Sequence, residues 1–275
     1  MRRQKRKPRY GRIAIAFMFC AVVVYLLISR GFKSPIKILS ADERFVKDLI
    51  NKYDNLNDVE AVASLEKIFS NIDDYPDQYL DLLKRNEETI GFVADYIDGI
   101  PAMANTSNGV ASGEIPHFVQ WDKRWGYSEY VDAPIAINGC GPTSLAMVVA
   151  GLTGRIDINP LTVAEFSADR GFYVENVGTD WELMTAGAAY FGLNVKELSL
   201  SETTIKAALK DGSFIIASMR PGTFTDVGHF IVLVGVDSDG KILVHDPNSY
   251  IKSSQAWDFE VFENEARNFW SFSSY

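Results

Sequence analysis

Apolar positions along the chain fall into three regimes. Residues 13–29, IAIAFMFCAVVVYLLIS, run without a charge. From residue 40 to about residue 98 the apolar residues recur at helical spacing. SADE at 40–43 has capping-box form, and Phe45, Val46, Leu49, Ile50 and Tyr53 follow on one face. NDVE at 57–60 opens a second stripe made of Val59, Val62, Leu65, Ile68 and Phe69. YPDQYLDLLKR and NEETIGFVADYI read as a third and a fourth helix. Four short amphipathic helices must bury their stripes, either together or against the C-terminal part of the chain. Residues 99–114, GIPAMANTSNGVASGE, are small, polar and punctuated by Gly and Pro, so they read as a linker.

The third regime, residues 115–275, is mixed. A loop with aromatics, HFVQWDKRWGYSEY, precedes a helix expected from Cys140 to about Leu152. Helical patches are predicted near 161–169, 180–191 and 201–211. Strands are predicted at 214–219, 229–236 and 241–246. Helices first and strands afterwards predict an α+β fold rather than a βαβ repeat.

Length and charge sharpen this layout. The chain has 275 residues and 47% hydrophobic content, enough for one good-sized core and a smaller appendage. The first twelve residues, MRRQKRKPRYGR, carry seven Lys or Arg and no acid. Beside that basic tail (1–12), residues 13–29 have close to the minimum length of a transmembrane helix. LLISRGFKS offers no small-x-small cleavage site. We therefore expect an uncleaved signal anchor, a cytoplasmic N-terminus, a linker at 30–39 and everything beyond it extracellular. The other 263 residues hold 20 bases and 36 acids, a balance of −16. An acidic exported part argues against nucleic acid as a partner. Cys20 lies in the apolar run, where FMFC lacks the small residues of a lipoprotein site. Cys140 is then the lone cysteine of the exported part, with no disulfide open to it.

Cys140 sits in AINGCGPTSLAMVV, at the start of the expected helix. Unsatisfied N–H groups at a helix N-terminus favour a thiolate. Pro142 suits a first helical turn, and Gly139 and Gly141 allow backbone to be approached closely. The same pattern also fits a small buried hydrophobe, the commonest fate of a free cysteine. A nucleophile needs a base, and the chain has three histidines: His117, His229 and His245. With residues 237–240 as a hairpin loop, 236 faces 241 and His229 lies across from Asn248. Asp246 then shares the face of His229, where it can orient the imidazole, and His245 points the other way. A loop one residue longer or shorter would flip these faces. His117 and His245 are taken as structural. His229 also reads as an ordinary strand-start residue, and DPN as a plain turn. A zinc site from Cys140, His229, His245 and Asp246 lacks CxxC or HxxxH spacing, so no metal or cofactor is expected. An oxyanion needs donors; the Cys140 N–H is one, and spacing alone does not select Gln120 as another.

Three blocks, QWDKRWG, GCGPTS and GHFIVL followed by DPN, stand in one order. In these the chain from about residue 115 to 275 resembles bacterial cysteine peptidase family 39-like domains, papain-fold relatives of the bacteriocin-leader-processing peptidases. YPDQYLDLLKRNEETIGFVADY resembles the helical segment that often precedes such a domain. The resemblance implies a papain-like fold, with the cysteine on a central helix packed on an antiparallel sheet that carries His and Asp. It implies Cys140 as nucleophile, His229 as base and acid, Asp246 as orienter and Gln120 as oxyanion amide. The expected activity is hydrolysis of peptide bonds in a peptide or protein substrate. The alternatives are an amidase, isopeptidase or transpeptidase acting on envelope peptides, and a catalytically idle peptide-binding module. Bacteriocin-processing members usually carry an export ATPase and work in the cytoplasm. These residues contain none and are expected to face outward, so cleavage after a double glycine is not expected.

Overall fold

A computed structural model of the chain describes residues 39–99, 114–175 and 177–274. The expected anchor at 13–29, its basic tail, most of the 30–39 linker and nearly all of the 99–114 linker lie outside these residues. Among the described residues no helix is long and apolar enough to cross a membrane. The described residues from Phe45 onward form one compact unit.

The anticipated caps start the first helices. The Ser40 N–H donates to Glu43 Oε2 at 2.7 Å, and the Glu43 N–H donates back to Ser40 Oγ at 3.0 Å. Helix α1, Ala41–Asn55, comes next. Asp58 caps α2, Val59–Ser70, by accepting from the Ala61 N–H. Helices α3, Asp77–Arg85, and α4, Ile90–Asp95, complete the helical part. Their stripes meet in one cluster with Val46, Leu65, Ile68, Leu83 and Val93 at its centre. That cluster also takes in Tyr127 and Ala136, more than thirty residues further along. Tyr127 stacks on Phe92 at 4.2 Å and donates its hydroxyl to the Phe92 carbonyl at 2.6 Å. The helices thus bury their stripes both together and against residues beyond the 99–114 segment. Val59 departs from the predicted stripe. It stands at the first position of α2 and is 77% exposed.

The rest is a sheet with helices on both faces. Helix α5, Cys140–Thr153, carries no charge and is buried from Gly141 to Gly151. It ends on Gly154, whose φ of 71° is the left-handed conformation that stops a helix cheaply in glycine. Helices α6, Pro160–Arg170, and α7, Glu202–Lys210, come after it. The sheet consists of β1 (Leu193–Leu198), β2 (Phe214–Met219), β3 (His229–Val236), β4 (Ile242–His245), β5 (Ala256–Trp257) and β6 (Ala266–Ser274). Its order is β1-β6-β2-β3-β4-β5, with every neighbouring pair antiparallel. Leu145, Met147 and Val148 of α5 pack against Phe230, Val232 and Trp270 on one face. On the other, Ile205 and Leu209 of α7 and Phe262 of helix α9, Phe259–Glu265, cover Ile215, Ile231 and Leu233. Each such side chain fully removed from water contributes about 1.5–3 kcal/mol, so α5 is fixed firmly to the sheet. The α+β class stands as expected.

The β3–β4 hairpin differs from the expected register in two ways that cancel. Val236 pairs with Ile242, not with residue 241, so the loop is one residue longer. A bulge between Leu233 and Gly235 takes up that residue, and Val232 pairs with His245. The ladder ends at that pair: residues 246–249 form a turn closed by an Asp246–Ser249 bridge, so Asn248 is not paired with His229, and Asp246 meets His229 through its side chain. The helical patch expected at 180–191 is a π-helical turn, Leu183–Gly187, continued by Ala188–Tyr190.

Candidate active site

Cys140 is the first residue of α5. A helix leaves its first N–H groups without intrahelical acceptors, so the thiol stands where donors converge. Cys140 is partly exposed, in contrast to the eleven residues after it. The glycines beside it serve packing, against the expectation that they open the backbone to a ligand. A Cβ on Gly141 would lie 2.6–2.7 Å from three side-chain atoms of Thr179, and one on Gly139 would lie 2.5 Å from the carbonyl oxygen of Ile135. Both positions are closed by the protein itself.

His229 opens β3 and is almost entirely buried. Its Nε2 donates to Asp246 Oδ1 at 2.7 Å, which leaves Nδ1 open, and the nearby Cys140 favours the protonated ring. Burial opposes a charge on His229. The carboxylate of Asp246, its hydrogen bond and the sulfur of Cys140 outweigh that burial and raise the pKa from 6.5 to about 10. Asp246 is fully buried, and its Oδ1 also accepts from the Asn248 N–H at 2.8 Å.

The loop 117–121 lies across the segment 246–248 and binds each of its residues. His117 Nε2 donates to the Asp246 carbonyl at 2.8 Å, the Gln120 N–H to the Pro247 carbonyl at 2.7 Å, and Trp121 Nε1 to the Asn248 carbonyl at 3.0 Å. The buried Gln120 side chain donates from Nε2 to the Ala136 carbonyl at 2.7 Å and, more weakly, to the Ile137 carbonyl at 3.3 Å. Gln120, Cys140 and His229 line a single cleft of about 180 Å³, with Asp246 behind the histidine.

The other two histidines form the back of the site. His117 and His245 stack at 4.7 Å, with Tyr250 edge-on to His117. Burial lowers the pKa of both, to about 4 for His245, where a charge on His117 adds to the effect. The described residues contain no group of His, Cys, Asp and Glu able to hold a metal ion.

Two contributions come from residues that sequence reading passed over. Asn86 Nδ2 donates to the Asn248 carbonyl at 2.6 Å. Glu88 accepts from the Tyr250 N–H at 2.8 Å, the Ile251 N–H at 3.2 Å and the Ser249 hydroxyl, capping the short helix α8, Tyr250–Ser253. The helical part therefore grips the segment that carries Asp246. Leu82 and Arg85 of α3 form part of the cleft wall. Their chain distance from Cys140 hid them.

A thiol at the head of a buried helix and a strand-borne imidazole held by a carboxylate therefore stand at one cleft of a protein of the α+β class. Within that class the family is specific: the Peptidase_C39 like family matches residues 112–274, more than half of the chain, and the chain belongs to it. Comparison with curated proteins finds no match.

Proposed function

We propose that the chain is a cysteine peptidase that hydrolyses peptide bonds with Cys140, His229, Asp246 and Gln120. The observation that carries this reading is the shared imidazole. One ring nitrogen of His229 binds Asp246, the other is open, and the nearby Cys140 favours the protonated ring. With its raised proton affinity His229 already holds the thiol's proton on Nδ1 before attack, and the Cys140 sulfur attacks the substrate carbonyl carbon as a thiolate. The Cys140 N–H faces the oxyanion that forms. Gln120 joins it by exchanging its longer bond, at 3.3 Å to Ile137, for one to the oxyanion, while the 2.7 Å bond to Ala136 holds the amide in place. The C–N bond breaks as His229 gives its proton to the leaving amine. Water then attacks the thioester, the C–S bond breaks, and the thiol recovers a proton.

The elevated proton affinity of His229 suits the acid half of this cycle, because a protonated ring must be present when the amine leaves. The same reading keeps residues 13–29 as a single-pass anchor that holds the domain outside the cell. The direct test is labelling by a thiol-reactive probe together with product analysis on peptides. The reading expects rapid labelling at Cys140, new internal peptide termini, and loss of both in His229→Ala. Labelling unchanged in His229→Ala would leave an idle module. Released cross-bridge fragments without internal termini would make the enzyme an amidase or transpeptidase. A reporter fused after residue 275 that works only in the cytoplasm would overturn the outward topology.

A further inference from the structure

The cleft has two walls of different origin. One is the 222–228 loop just ahead of His229, and the other is α3 of the helical part. Leu82 and Arg85 lie three residues apart on α3, so they share a face, and both reach the cleft. Arg85 is the last residue of the helix. Its side chain is exposed, and its Nε donates to the Asp81 carbonyl at 3.1 Å, which leaves the terminal nitrogens for another partner. Its neighbour Lys84 pairs with Asp81 at 2.9 Å. Arg85 has no carboxylate partner among the described residues. The terminal nitrogens of a guanidinium anchored at Nε form a fork matched to a carboxylate.

The other charges of the cleft fit the same reading. Lys252 donates to the Phe224 carbonyl at 2.9 Å, so its ammonium holds the opposite loop rather than facing the cleft alone. Asp226, the acid of the lining, stands on that loop and forms no ion pair with Arg85. In a chain with 36 acids and 27 bases, an arginine at the site without a carboxylate is the complement of an acidic ligand.

We infer that Arg85 sets substrate preference: the cleft takes peptides that carry an acidic side chain close to the scissile bond, with its carboxylate on the Arg85 guanidinium. The inference rests on the peptidase reading of the same cleft, and it makes the helical part a piece of the enzyme's specificity.

The test uses the full chain and a positional-scanning library of internally quenched peptides in matched Glu and Gln versions. At one position near the cleavage point the Glu peptide should have the higher kcat/KM, by about fivefold, as for a partly exposed charge pair. The gain should appear in KM more than in kcat and shrink with salt. Arg85→Gln should bring the Glu/Gln ratio to about one, Arg85→Lys should keep part of it, and Arg85→Glu should favour a Lys peptide at that position. A ratio of one in the natural chain, or a ratio unchanged in Arg85→Gln, overturns the inference. Polarisation with the same labelled peptides on Cys140→Ala separates the two proposals. Tighter binding of the Glu peptide that depends on Arg85 upholds the inference even where no peptide is cut. Cleavage without any such preference upholds the peptidase reading alone.

Discussion

Asp246 divides the site into two histidine environments. On the side of its carboxylate, His229 is buried and yet binds protons more tightly than free histidine, up to about 10. On the side of its backbone carbonyl, His117 and His245 are partly buried and bind protons less tightly, down to about 4 for His245. All three have lost much of their water. What separates them is the partner: a full negative charge in one case, a carbonyl dipole and another imidazole in the other. Burial alone makes a histidine neutral, whereas a buried carboxylate makes it a cation.

The contrast breaks most severely at His229 itself. His229→Ala should lower kcat/KM by about a thousandfold, within the range for losing a positioned acid–base group; steady-state hydrolysis checks it. Asp246→Asn keeps the shape and removes the charge. Activity should fall by about a hundredfold. The alkaline limb of the pH–rate profile should also move from near 10 towards the ordinary 6.5. An alkaline limb left in place would show that the carboxylate does not hold the proton.

Stability offers a gentler test, with opposite signs on the two sides. The raised pKa of His229 gives stability that is fully present below pH 6.5 and is lost as pH rises towards about 10. The lowered pKa of His245 gives stability present above pH 6.5 and lost as pH falls towards about 4. Melting temperature against pH should therefore fall at both ends. Asp246→Asn should flatten the alkaline slope, and His245→Phe, which keeps a ring on His117, the acid slope. Glu88→Gln should have a smaller effect, about 1 kcal/mol, the usual size for a helix cap. Urea unfolding measures it, and a larger loss of activity than of stability would show that the cap holds Asp246 in place.

Local chemistry made much of this legible. Ser40 with Glu43, and Asp58, start helices where their side chains satisfy free N–H groups. The uncharged run after Cys140 is buried because it has no polar face. The hairpin was harder, since nothing in DSDGK marks the bulge between Leu233 and Gly235 that compensates a longer loop. Strand β6 escaped notice because α9 ends at Glu265 and β6 begins at Ala266, with no Gly or Pro between them. The grip of Asn86 and Glu88 on residues 248–251 spans over 160 positions, beyond any local pattern. Two of the blocks that carried the family resemblance, QWD and DPN, meet in space, Gln120 bonding Pro247 and Trp121 bonding Asn248.

The two-sided hold on residues 246–251 bears on maturation. Tyr127 on Phe92, Asn86 on Asn248 and Glu88 on α8 all bridge the 99–114 segment without using it. A protease that cut the chain there would produce two bands on a denaturing gel and one particle in a sizing column. The helices would not be shed like a pro-segment. They would stay as a light chain, and the reactivity of the thiol should be the same in the nicked and the intact form.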